Sequence, residues 1–166
     1  LIVPGDTIFL DASTTTYYIA HELKNMQNIT VVTNSVQTID LLCTAPGIRV
    51  IGTGGLVGEN RSFVGGMAES TVRERYFANK LFFSSRGVTS EAGILDSVEQ
   101  ECAMKKCMMK NAQQKIYVCE HSKIGRVGFA KLASFEEIDY FVTDEQIEPD
   151  FARKIEDAGA RLIYAQ

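Results

Sequence analysis

Apolar positions along this chain alternate between short continuous runs and longer stretches with helical spacing. Ile8-Phe9-Leu10 is a continuous run closed by Asp11 and small hydroxylated residues, the pattern of a strand that passes through an N-cap into a helix. Tyr17, Ile19, Ala20 and Leu23 carry that helix towards Lys24. The unit then repeats. Ile29 to Val32 predicts a strand, Thr33-Asn34-Ser35 a capping turn, and Val36, Ile39, Leu42 and Cys43 the inner face of a second helix, followed by a strand at Ile48 to Ile51. Strand, helix, strand at this spacing implies parallel strands joined by crossover helices, with every strand's carboxyl end on one rim. Function is expected along that rim.

Glycine-rich segments at Gly52 to Gly58 and Gly65-Gly66 interrupt the alternation. Beyond them the pattern predicts a helix over Met67 to Tyr76, a strand from Lys80 to Ser84, a loop over residues 85–99 and a helix from Glu101 to Ala112. Strands at Lys115 to Cys119 and Asp139 to Val142, a helix from Phe151 to Ala158 stopped by Gly159, and a strand from Arg161 to Tyr164 complete it. The whole of residues 1–166 therefore reads as a single α/β domain, a mostly parallel sheet flanked by helices, of a length that buries one sizeable core.

Composition narrows the possible functions. With 45% hydrophobic and 23% charged residues the chain is that of an ordinary globular protein. A net charge of −4 argues against direct binding of DNA, which calls for a basic face. Cys43, Cys102, Cys107 and Cys119 lie in apolar or helical stretches and read as buried thiols of a reducing cytosol rather than a disulfide framework. No apolar run approaches the ~20 residues of a membrane span, and no leader is recognisable, so a cytoplasmic protein is expected. Leu1-Ile2-Val3-Pro4-Gly5-Asp6, without an initiating Met, reads as the lead-in to a strand, and an upstream segment is expected.

The candidate chemistry sits at the strand-to-helix junctions. In Asp11 to Thr16 the small residues leave amides open at a helix N-terminus, and Ser13, Thr14, Thr15 and Thr16 add hydroxyls, together a cradle for a phosphate or carboxylate. Asp11 or Ser13 serves equally well as a plain helix cap. Asn34 offers a donor and an acceptor to a polyol, or another cap. Gly54 and Gly55 remove side chains where backbone approaches a ligand or a neighbouring element, but the GxGxxG spacing of a dinucleotide site is absent. Residues 84–96, SSRGVTSEAGILD, form a polar segment with Ser85 and with Gly87 and Gly93 as mobile points, the composition of a loop that closes over a ligand. Glu101 and Lys105 share a helix face, as either an exposed ion pair or part of the site. At the end of the next strand Lys123 is placed to meet a phosphate and Glu120 sugar hydroxyls. The Cys and Met residues between Cys102 and Met109 cannot converge on one metal from a single helix, His21 and His121 lack ligand partners, and Ser84-Ser85 is no nucleophile elbow. No metal, cofactor or hydrolytic site is expected.

Taken in order, these junctions resemble the C-terminal sensor domain of the DeoR family of bacterial transcriptional regulators. The resemblance rests on Asp11 to Thr16, Thr33-Asn34, Gly54-Gly55, Ser84 to Gly87, Glu101 to Lys105, Glu120 to Gly125 and Thr143-Asp144. Ser13 stands where the family usually has Gly, Asn79 where an Asp is usual, and Glu120-His121 where Asp and a small residue are common. The resemblance implies a fold similar to ribose-phosphate isomerases, glucosamine-phosphate deaminases and CoA-transferases. It implies a phosphorylated sugar or sugar-derived metabolite as effector, with phosphate at residues 13–16 and polar contacts from Asn34, Lys105, Glu120 and Lys123. It further implies a homo-oligomer that reaches operator DNA through an N-terminal winged helix-turn-helix, usually as a repressor, and not an enzyme. A sugar-phosphate isomerase or deaminase is the alternative, since Asp11, Asp96 and Glu120 supply carboxylates for proton transfer. A purely structural dimerisation module is the third reading.

Overall fold

The computed structural model describes residues 1–165. The first half alternates strand and helix: β1 (Thr7–Leu10), α1 (Thr14–Leu23), β2 (Ile29–Thr33), α2 (Val36–Leu42) and β3 (Ile48–Gly52). A short hairpin of β4 (Leu56–Val57) and β5 (Phe63–Val64) leads into α3 (Gly66–Arg75) and β6 (Ala78–Phe83). Then come β7 (Gly87–Thr89), β8 (Gly93–Asp96), α4 (Glu99–Lys110), β9 (Ala112–Cys119), β10 (Ala130–Ala133), β11 (Tyr140–Thr143), α5 (Pro149–Asp157) and β12 (Arg161–Tyr164).

Seven strands form one parallel sheet in the order β12-β11-β9-β6-β1-β2-β3. The continuous apolar run of β1 follows from its central place: Ile8 and Leu10 join Ala20, Leu23 and Leu42 of α1 and α2 on one face, while Phe9 joins Val72, Met104 and Ile155 of α3, α4 and α5 on the other. At β1 the winding reverses, β2 and β3 adding on one side and β6, β9, β11 and β12 on the other. A crevice opens at such a reversal, above the carboxyl ends of the central strands.

Residues 85–99 depart from the expected mobile loop. They hold β7 and β8, which pair antiparallel, and β10 joins them to make a second, three-stranded sheet. Val88, Ile94 and Leu95 are buried there, and a Cβ on Gly87 would lie 2.2 Å from the carbonyl oxygen of Arg126, so Gly87 marks a tight backbone contact and not a point of mobility. The short apolar stretches of this sheet carry too little periodicity to distinguish from a loop. Of the four thiols expected to be buried, Cys102 and Cys119 are, Cys107 is half-buried and Cys43 is exposed at the end of α2; all four are free. Among the described residues no helix is long and apolar enough to cross a membrane.

Candidate functional site

The β1–α1 junction is organised by Asp11, which is fully buried. Its Oδ1 accepts from the Ser13 amide at 3.1 Å, the Ser13 hydroxyl at 2.6 Å and the Thr16 hydroxyl at 2.7 Å, and its Oδ2 accepts from the Ser84 amide at 3.1 Å. Ser13 is the N-cap of α1, its Oγ accepting from the Thr16 amide. Asp11, Ser13 and Thr16 thus spend their hydrogen bonds on shaping the turn. The backbone amides of Thr14 and Thr15, in the first turn of α1, have no acceptor within the helix and carry its positive end. Thr14 is exposed and Thr15 half-buried.

Behind this turn lies a buried cation. Lys105 on α4 sets its Nζ 2.5 Å from Asp96 Oδ2 and 3.2 Å from Asp11 Oδ2, and donates to the Ser84 carbonyl at 2.9 Å. Burial works against the charged ammonium, but the Asp11 and Asp96 carboxylates outweigh it, and the Lys105 pKa is raised above its ordinary value. Glu101, one helical turn earlier, is also buried rather than exposed, and accepts a short hydrogen bond from the buried Ser62 hydroxyl of the hairpin. Of the two readings open on spacing, the exposed ion pair is excluded: both residues are buried, they line the first of the two clefts beside α1, and they fasten α4 to the rim. At the opposite lip a 3-10 turn, His121–Lys123, carries Lys123, whose Nζ donates to Thr15 Oγ1 at 3.1 Å and Ser84 Oγ at 3.2 Å.

Two clefts flank the start of α1. The first, about 380 Å³, takes Ser13 and Thr14 from α1, Ser85 from the end of β6, and Lys105 and Lys123 as cations. The second, about 300 Å³, lies on the other side and takes Thr14, Thr15 and Glu120, with Val118 and Val142 as apolar floor. Lys123 and Glu120, only three residues apart, line different clefts. Ser85 is held at the floor of the first by the hydroxyl of Tyr117, 2.7 Å away. Asn34 lines neither: it is buried, and its amide donates to the Phe63 carbonyl, tying the hairpin to β2. Asp11, Thr16, Gly54, Gly55 and Gly87 also stand outside both linings. Gly55, with φ +115°, packs against Ala68 of α3. Sequence reading overlooked Gln37, Asn60, Arg86, Ser97 and Arg126 in the first cleft. Arg86 lay inside a segment already singled out, whereas Asn60 and Arg126 reach the cleft only through the hairpin and the small second sheet.

Comparison with known proteins fits this geometry. The family described as the DeoR C terminal sensor domain matches residues 1–145. The uncharacterized HTH-type transcriptional regulator YulB of Bacillus subtilis is 37% identical over 95% of this chain and 61% of its own length. The HTH-type transcriptional regulator GolR of Listeria innocua is 33% identical over 100% of this chain and 65% of its own. The chain thus spans less than two thirds of the length of these relatives. Among solved structures, eIF2B beta from Chaetomium thermophilum superposes with a TM-score of 0.57 at 16% identity, covering 84% of this chain and 44% of that one. Ribose 5-phosphate isomerase A from Methanocaldococcus jannaschii does so with 0.54 at 15% identity, covering 75% and 48%. At these identities the likeness is one of fold.

Proposed function

The chain belongs to the DeoR C-terminal sensor domain family, and from that premise we propose that it binds a phosphorylated sugar in the first cleft as the effector-sensing part of a transcriptional regulator. The observation that carries the reading is the free first turn of α1 beside Lys123: two unpaired helix amides, the Thr14 hydroxyl and an ammonium held by the Thr15 and Ser84 hydroxyls alone border a space large enough for such a ligand. Asp11 and Thr16 shape that turn from behind, and Ser13 caps it at the edge of the cleft. Residues 1–166 act as one effector-binding and oligomerising domain, cytoplasmic and without a cofactor. In the whole regulator a DNA-binding head meets the operator, and the effector favours one arrangement of paired heads over another. Repression is the expected mode.

Binding without turnover is favoured over isomerisation or deamination by the state of the carboxylates. A base that takes a proton from carbon must be free to receive it and within reach of it, yet Asp11 is enclosed by four donors, Asp96 is held by Lys105, and Glu120 lines the other cleft.

A thermal-shift screen against phosphorylated sugars and their unphosphorylated parents, with product analysis of each hit, tests the reading. A ligand at 100 times its dissociation constant adds roughly 2.7 kcal/mol of stability. The expected result is a phosphate-dependent shift with no product, and a much larger affinity loss for phosphorylated than for parent compounds in Lys123→Ala. Conversion of the ligand would make the protein an enzyme; equal losses for both classes would move the phosphate elsewhere.

A further inference from the structure

The first cleft holds more positive charge than one phosphate needs. Besides Lys123 it is lined by Arg86 and Arg126. These two are carried on touching backbone: Arg86 precedes Gly87, and a Cβ on Gly87 would meet the Arg126 carbonyl oxygen at 2.2 Å and the Arg126 Cβ at 2.7 Å. Only the absence of a side chain at position 87 lets the two segments lie this close. Among the described residues no carboxylate lies within 4.0 Å of either guanidinium or of the Lys123 ammonium. The acids of the cleft are engaged elsewhere, Asp96 with Lys105 and Glu101 with Ser62. In a chain of net charge −4, three cations without carboxylate partners share one cleft.

A phosphate monoester carries about −1.5 to −2 charges near neutral pH. Lys123 and the positive end of α1 already answer that charge. The two arginines remain, and their planar guanidinium groups match a carboxylate or phosphate through paired hydrogen bonds. We infer that the cleft selects a sugar phosphate bearing a second acidic group, carboxylate or phosphate, and that Arg86 and Arg126 hold this second group. The inference rests on the reading of the α1 turn as the site of the first phosphate.

The test uses calorimetry on the 166-residue chain with pairs that share a carbon skeleton: glucose 6-phosphate against 6-phosphogluconate, and fructose 6-phosphate against fructose 1,6-bisphosphate. In at least one pair the doubly acidic member binds tighter by about ten-fold or more, as charged hydrogen bonds of this kind provide. Which pair shows the ratio tells a carboxylate from a second phosphate. In the double variant Arg86→Gln with Arg126→Gln, both exposed positions, the ratio falls towards one while the thermal midpoint of the free protein holds. Ratios near one in both pairs, or equal losses for both members in the variant, would overturn the inference and leave the phosphate site standing if Lys123→Ala still abolishes binding. Failure of every phosphorylated probe to bind would remove both.

Discussion

Lys105 illustrates how much a single buried charge organises here. It stands between Asp11 and Asp96 with a side chain only 6% exposed, so truncating it leaves two carboxylates facing each other without a counterion. Lys105→Ala is expected to lower stability by about 3–5 kcal/mol, measured by urea unfolding; a loss under about 1 kcal/mol would mean that water or a neighbour takes over its role. The threonines of α1 divide in the same physical way. Thr16 is fully buried and donates to Asp11, so Thr16→Val costs stability, about 1–3 kcal/mol in urea unfolding. Thr15 is half-buried and accepts from Lys123, so Thr15→Val changes the unfolding free energy by no more than about 0.5 kcal/mol and lowers affinity for a phosphorylated ligand by loosening that ammonium. A reversal of these two outcomes would exchange their roles. Four hydroxyl residues in a row advertise an anion cradle in the sequence, but which of them turn inward is decided by the position of Asp11.

At the scale of elements, the segment after β6 matters most. Its composition reads as a polar, mobile closure; in the structure it holds β7 and β8, which β10 joins in a packed sheet, placing Ser85, Arg86 and Asp96 at the cleft. That sheet depends on Gly87, where backbone meets backbone. Gly87→Ala must push β7 away from Arg126, an overpacking cost of about 1–3 kcal/mol, and must displace Arg86 and Arg126 relative to each other. Unfolding and ligand titration of this variant are expected to show both losses. Full ligand affinity at reduced stability would separate the sheet from the site. The β4–β5 hairpin is a comparable case: Asn34 looks like a ligand contact in sequence, and the structure uses its amide to pin Phe63, with Ser62 reaching Glu101 on α4.

Across the whole molecule, several buried groups share one sign of proton linkage. Burial pushes the Cys119 thiol up to about 11 and the Tyr117 hydroxyl well above its usual value, and Lys105 is raised by its carboxylates against the pull of burial. Cys102 and Cys107 move in the same direction, again through burial. Each holds its proton more tightly folded than unfolded. The stability each contributes is therefore complete below the unfolded value and is lost as pH rises through the folded one. Unfolded thiols, tyrosine and lysine titrate near 8.5, 10 and 10.4, so these groups leave stability level through neutrality and erode it from about pH 9 upward. Urea midpoints measured from pH 7 to 11 check this; in Cys119→Ala the loss between about pH 9 and 11 shrinks, and an unchanged decline would assign it to the other groups.

The α/β class, the order of the principal strands and helices, and the gathering of polar residues on one rim were determined by the sequence alone. Those features follow from local periodicity and capping, as in the Ile8-Phe9-Leu10 run that passes into Ser13 and α1. Tertiary structure decided what periodicity cannot encode. It buried Glu101 and Lys105, parted Glu120 from Lys123 across α1, turned Asn34 into an anchor, and brought Asn60, Arg86 and Arg126 to one cleft. Each of these rests on contacts between segments far apart in the chain, and a short window of sequence carries no record of such contacts.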